Sequence, residues 1–326
     1  MRGQGIRGWT LFLFIIAVTA GLASAQQQSD IHVLHVQGNV YMLVGAVGNI
    51  AVQVGQDGVL MVDTGAAQAS DQVMAAVVQL AKPVTNRPLR FIINTHFHAD
   101  HTGGNEKARA AGATITGGNV AGNISDASEG AAVFAHANVM RRMSAPTGSQ
   151  SPTPPGAWPT DTYFGDEKDL FFNGEAIQLF HPKPAHTDGD SIVFFRRSDV
   201  VSTGDIFTTT NYPIIDLQSG GTINGVIDAL NFILDITVPA DKQEGGTMVI
   251  PGHGRLCDEA DVVEYRDMVT IIRDRVQDMI KKGMTLEQVK AAKPTRDYDP
   301  LYGSTSGAWT TDMFVEAVYK SLGAKK

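Results

Sequence analysis

"FIINTHFHADHTGGN", residues Phe91 to Asn105, is the stretch whose reading decides the fold. It opens as an apolar run and ends in a cluster, with His96, His98, Asp100 and His101 inside six positions. A lone histidine in a loop is usually solvated or satisfied in a core. "HxHxDH" at the mouth of a strand is far more specific. Imidazole and carboxylate ligands suit zinc, which binds nitrogen at about 2.0–2.1 Å.

Working outward, three further motifs place ligand types where an apolar strand exits into a Gly- or Pro-marked loop. "PAHTDGDS" carries His186, "VVSTGDIF" carries Asp205 and "VIPGHG" carries His253. Such loops carry function on a rigid scaffold. Two histidines one residue apart can project from a tight loop toward one ion, with His186 closing that site. Asp100 and His101 can turn toward a second ion, with His253 closing it. Asp205 can bridge the two. A metal pair about 3.5–4 Å apart can hold a hydroxide, so a nucleophile exists at neutral pH.

These motifs, with "VDTG" before them and in the order "THFHADHTGG", "PAHTDGDSIVFF", "STGDIF" and "IPGHG", resemble the metallo-β-lactamase-fold hydrolase superfamily. The resemblance implies an α/β fold, a four-layer αββα sandwich of two similar halves with metals at one edge between the sheets. It implies one zinc on His96, His98 and His186, another on Asp100, His101 and His253, and Asp205 bridging; iron or manganese can occupy similar sites. Asp63 of "VDTG" is either a residue supporting the histidine loop or a simple turn aspartate.

Fold alone does not name a substrate. In established lactamases of two groups the position of Asp205 is cysteine or serine. The complete set with a bridging aspartate is closer to glyoxalase II-type thioesterases and lactonases. Diiron flavoprotein relatives carry Glu at the position of His98, which disfavours an oxygen-reducing centre. The reading is an exported di-zinc hydrolase whose bridging hydroxide attacks an amide or ester carbonyl, with a β-lactam or lactone as leading substrate. The alternatives are a glyoxalase II-like thioesterase and a metal-stabilised binding protein without turnover. Asn211 and Tyr212 in "TTTNYPIID" are candidate substrate contacts, against a reading as loop packing. The loop Leu43 to Asn49 is expected to flank the cleft, and Trp158 to cover it. His32, His35, His136 and His181 read as ordinary residues.

The remaining composition bounds the setting. The chain has 326 residues, 43 % hydrophobic, with net charge -8. Lys and Arg are scattered without a basic stripe, which argues against nucleic acid and anionic membrane surfaces as partners and for a small-molecule substrate. Residues 1–25 read as a signal peptide: Arg2 and Arg7, an apolar run from Leu11 to Val18, then "ASA" at Ala23 to Ala25. That run falls short of the roughly 20 apolar residues a membrane span needs. The mature protein is then periplasmic or secreted, not in a membrane, and residues 26–326 form a single domain with a C-terminal helical extension. The sole cysteine, Cys257, allows no internal disulfide and reads as a small buried residue.

Short Val-rich strands divided by Gly turns run from Ile31 to Thr64. A helix follows over "AAQASDQVMAAVVQLAK", then the strand "LRFIINT" and a short helix ending at Gly112. "AAVFAHANVMRRM" reads as helical, and the Pro-rich segment about 145–160 as a surface loop or lid. Strands resume from "DLFFNGEAIQLF" to "VVSTGDIF". A helix from about Ile223 to Leu234, one more strand in "TMVIPGHG" and C-terminal helices complete the chain. Two packed sheets with helices outside would bury every apolar face.

Overall fold

The computed structural model describes residues 30–114, 130–145, 153–242 and 245–323. The putting away of apolar surface follows the period of two along each strand. In the first half, β1 (His32–Gln37), β2 (Val40–Val44), β3 (Ile50–Gly55) and β4 (Gly58–Val62) form an antiparallel meander. After α1 (Ser70–Ala81), β5 (Leu89–Ile93) joins β4 in parallel. The one-turn α2 (Ala99–Thr102) and α3 (Asn105–Ala111) follow, then β6 (Ala132–His136), α4 (Ala137–Ser144) and β7 (Asp161–Tyr163). The seven strands lie in sequence order.

The second half begins with β8 (Glu167–Phe172), β9 (Glu175–Phe180), β10 (Ile192–Phe195) and β11 (Val200–Ser202). Helix α5 (Ile223–Ile236) crosses over to β12 (Met248–Ile250), which pairs in parallel with β11. The five-stranded order is β12-β11-β10-β9-β8. Helices α6 (Glu259–Lys281), α7 (Leu286–Ala292), α8 (Asp299–Tyr302) and α9 (Thr311–Gly323) end the described chain.

The sheets face each other. Met42, Leu60, Val62 and Ile93 of the first meet Leu179, Val193, Phe195 and Ile250 of the second in one buried cluster. On the outer face of the first sheet, Leu43, Ile50, Val52 and Met61 pack with Val73 and Val77 of α1. On the outer face of the second, Phe194, Val201 and Val249 pack with α5, α6 and α9. Alternate residues of β4 and β10 thus feed opposite layers, and strands buried on both faces read as near-continuous apolar runs. This is the αββα arrangement.

Two local readings are corrected. "AAVFAHANVMRRM" is not one helix: Ala132 to His136 form β6, parallel to β5 and β7, and the helix starts at Ala137. A short apolar run bearing alanine carries no period that separates strand from helix. Strand β7, at the end of the Pro-rich segment, has only three residues and no sequence signal of its own. His136 and His181 stack at 3.6 Å, and burial with the His181 charge pushes His136 down to about 4. The signal-peptide segment 1–25 and residues 146–152 of the Pro-rich segment lie outside the described residues.

Candidate metal centre

The strand β5 ends at Ile93, and the chain turns so that its histidines emerge at one edge of the sandwich. Asp63, directly after β4, adopts φ 62°. Its backbone N–H donates to Ile93 O at 2.7 Å, and Thr64 N–H donates to His101 O at 2.8 Å. The "VDTG" turn is therefore laced to the histidine loop. A reciprocal pair of amides, Asn94 and Asn105, closes the loop from behind.

All seven candidate ligands come together in two groups. His96, His98, His186 and Asp205 converge on one point, and Asp100, His101 and His253 on another. Asp205 lies in the turn Gly204–Ile206 after β11, and its two oxygens divide between the groups. Oδ1 is 3.1 Å from His101 Nε2 and 3.4 Å from His253 Nε2, while Oδ2 is 3.9 Å from His96 Nε2 and 3.8 Å from His186 Nε2. Asp100 Oδ2 is 3.2 Å from His253 Nε2. Gly252 makes this approach possible: a Cβ there would stand 2.0 Å from Asp205 Oδ1.

The protons on the five imidazoles decide what the cluster can hold. His101 Nδ1 donates to Asp63 Oδ2 at 2.8 Å. His186 Nδ1 donates to Ile214 O at 2.8 Å, and His253 Nδ1 to Val47 O at 3.1 Å. His98 Nε2 donates to Asp216 Oδ2 at 3.3 Å. The Thr95 hydroxyl gives its only proton to Asp63 Oδ2, so at 3.0 Å it accepts from His96 Nδ1. A neutral imidazole has one donor and one acceptor nitrogen. With all five rings neutral, the state a metal requires, each inward nitrogen is therefore a lone pair. In that neutral state His186 Nε2 faces His98 Nδ1 at 2.9 Å and His101 Nε2 faces His253 Nε2 at 3.3 Å, lone pair against lone pair. His96 Nε2 and Asp205 Oδ1 are buried without a hydrogen bond. Seven electron-pair donors aimed at two points demand positive charge, and the donor set fits metal ions.

In the metal-free protein the charge is distributed differently from that neutral set. Burial drives His96 well below the usual imidazole range, helped by the His101 charge. Burial also opposes charge on His101 and His253. Asp205 and Asp63 outweigh it for His101, which lies well above its ordinary value. Asp100 and Asp205 outweigh it for His253, raised to about 9. Burial pushes the Asp205 carboxyl up, but His101 and His253 hold it well below the usual carboxylate range. Without a metal, protons on His101 and His253 supply the cation the carboxylates require.

The second rank of contacts was only partly legible. Asp63 supports the loop as well as turning the chain. Asp216 was not singled out from "TTTNYPIID". Its Oδ1 accepts from Gln218 and Ser219 N–H, capping a short turn, while Oδ2 holds His98. An Asp directly before a short turn is a weak signal, and only the fold reveals its second partner. Asn49 N–H donates to Gly252 O, and its side chain donates to Pro251 O and Gly254 O at 2.9 and 3.1 Å. Through these contacts the loop Leu43 to Asn49 flanks the His253 turn.

Three candidate roles change. Tyr212 is 1 % exposed, stacks on Phe314 and donates its hydroxyl to Asp299 Oδ1, so it belongs to the core. Its aromatic bulk suits a ring contact in sequence, but α8 and α9 cover it. Asn211 folds onto its neighbours, donating to Tyr212 O and accepting from Thr210. This is loop packing. Trp158 and Phe97 pack on Ala135, Val139, Met143 and Ala157, so Trp158 buttresses the loop from the side of α4. Cys257 is buried in the core of the second half and belongs to neither donor group.

A family model described as the metallo-beta-lactamase superfamily matches residues 37–253. Among solved structures, DIM-1 metallo-beta-lactamase is 16% identical with TM-score 0.53, covering 74% of this chain and 97% of its own. A metallo-beta-lactamase from Pontibacter korlensis is 14% identical with TM-score 0.54, covering 74% and 99%. The stereoselective inverting sec-alkylsulfatase Pisa1 from Pseudomonas sp. is 16% identical with TM-score 0.61; the match covers 90% of this chain and 50% of that one. Among curated protein sequences no match is found. With the family model spanning both ligand-bearing halves and the neighbours sharing the αββα fold, the chain belongs to the metallo-beta-lactamase superfamily of metal-dependent hydrolases.

Proposed function

We propose that this protein is an exported hydrolase that holds two zinc ions on His96, His98, His186, Asp100, His101, His253 and the bridging Asp205, and cleaves an amide or ester carbonyl. A β-lactam or lactone is the leading substrate class. The observation that carries the reading is the convergence of seven lone-pair donors on two points, with the oxygens of one carboxylate divided between them. Zinc held there supplies Lewis acidity and a water deprotonated near neutral pH. The residues of the chain do the positioning. Asp63, Asp216, Thr95 and the carbonyls of Ile214 and Val47 hold each imidazole in the tautomer that points its lone pair inward. Asp205 is 8 % exposed and lies between the groups. Asp100, with a side chain 34 % exposed, is the carboxylate of the set that solvent reaches, so it can orient a proton at Oδ2 beside His253. The pattern in residues 1–25 supports export.

The test is metal analysis followed by a panel on zinc-loaded protein: a chromogenic cephalosporin, a homoserine lactone, an acylglutathione and an alkyl sulfate. Turnover of the first or second, lost with chelator and restored by zinc, is expected. Turnover that survives chelation overturns the reading, and turnover of the acylglutathione alone makes the protein a thioesterase. Asp205→Ala should lower bound metal from two ions toward one. Two tightly bound ions in that variant would show that Asp205 does not bridge.

A further inference from the structure

A groove of about 400 Å3 lies between the segment 214–218 and helix α9, with His98 and Asp216 in its lining. The rest of its wall is dominated by Ile214, Ile215, Leu217, Trp309, Met313 and Ala317. The volume falls within the range of small-molecule sites, roughly 300–1,000 Å3, which are mostly apolar with few polar groups. The charges at its margin are spent on each other: Glu316 accepts from Lys320 and Lys290, each at 2.7 Å. Helix α9 buries Phe314, Val315 and Val318 in the core, yet Met313 stays 42 % exposed at the groove. The core does not use it.

His98 links this groove to the metal centre. Its Nδ1 faces His186 inside the donor cluster, and its Nε2 meets Asp216. Anything filling the groove lies against the same imidazole that faces the reaction site. A protein partner would have no need of that adjacency. A substrate would.

We propose that the groove is a substrate subsite for an unbranched apolar chain attached to the bond that is cleaved. The inference rests on the hydrolase reading and adds a substrate class to it: esters, lactones or amides bearing a medium-length acyl or alkyl chain. Apolar burial alone then favours longer chains by about fourfold in kcat/KM per methylene until the groove is filled.

The experiment compares two series on zinc-loaded full-length protein. One is p-nitrophenyl esters from acetate to decanoate; the other is acetate esters of alcohols from ethanol to decanol. A rise of at least tenfold from the shortest to the longest member is expected in one series, which identifies the acyl or the alkyl side as the occupant. In Met313→Glu the ratio of longest to shortest should fall at least tenfold. A ratio is insensitive to the fraction of folded enzyme. Binding is read separately, with and without chelator, from quenching of Trp309 emission by 12-bromododecanol, with Trp309→Phe as control. Saturable quenching that Met313→Glu weakens supports the subsite even where no ester is turned over, and the hydrolase reading then stands or falls by its own panel of cephalosporin, lactone and acylglutathione. Flat series together with absent quenching overturn the subsite and leave the hydrolase reading untouched.

Discussion

Asp216→Ala removes the acceptor that holds His98 Nε2 and leaves the ring free to rotate or change tautomer. Burial pushes the Asp216 carboxyl up, but His98 and Ser219 hold it below the usual range, so it stays ionised. Losing such an outer partner weakens metal affinity about 10–100-fold, and competition against a chromogenic zinc chelator should show it. His253 gives the pH dependence. In the metal-free fold it sits at about 9, above the ordinary 6.5. Its protonation therefore stabilises the metal-free protein fully below pH 6.5, a contribution lost as pH rises through about 9. A metal needs the same nitrogen deprotonated. Zinc binding at pH 7.5 should release protons, and apparent affinity should rise with pH up to about 9. Calorimetry in buffers of different protonation enthalpy checks this, with smaller release in His253→Gln.

Among the elements, α6 shows how local chemistry sets a boundary. Asp258 and Asp261 form a reciprocal cap: each side chain accepts from the other's backbone N–H at 3.2 Å. The helix then buries Val262, Tyr265, Met268, Ile272 and Val276 along one stripe against the second sheet and its companion helices. Asp258→Ala should cost about 1 kcal/mol, visible as a drop of about 2–4 °C in thermal unfolding by circular dichroism. The stripe and the stop signals made α1, α5 and α6 readable in the sequence. Strands β6 and β7 were not, because a strand inserted between parallel neighbours needs no alternation and a three-residue strand has no room for any. The alternatives for Tyr212 stayed open in the sequence for a related reason. Its burial comes from α8 and α9, about a hundred residues away in the chain.

For the whole molecule, the donor cluster joins the halves. His96, His98, Asp100 and His101 follow β5 of the first sheet, whereas His186, Asp205 and His253 come from loops of the second. A ligand bound only by the native state stabilises it by mass action, by about 4 kcal/mol at a thousandfold excess over Kd. Chelation should therefore lower the melting temperature by several degrees, reversibly on adding zinc, as scanning calorimetry will show; an unchanged midpoint would mean that metal does not tie the halves together. The sequence by itself determined the ligand types, their order and their place at strand ends, because alternation, Gly turns and "HxHxDH" are local features. The family resemblance those motifs carry implied the four-layer fold, and apolar strands that need cover on both faces are consistent with it. Only the tertiary structure decided which lone pairs face one another, that Asp216 holds His98, that Tyr212 belongs to the core and that α9 walls a groove beside the cluster. Those depend on distances between residues far apart in the chain, which packing sets and no local pattern encodes.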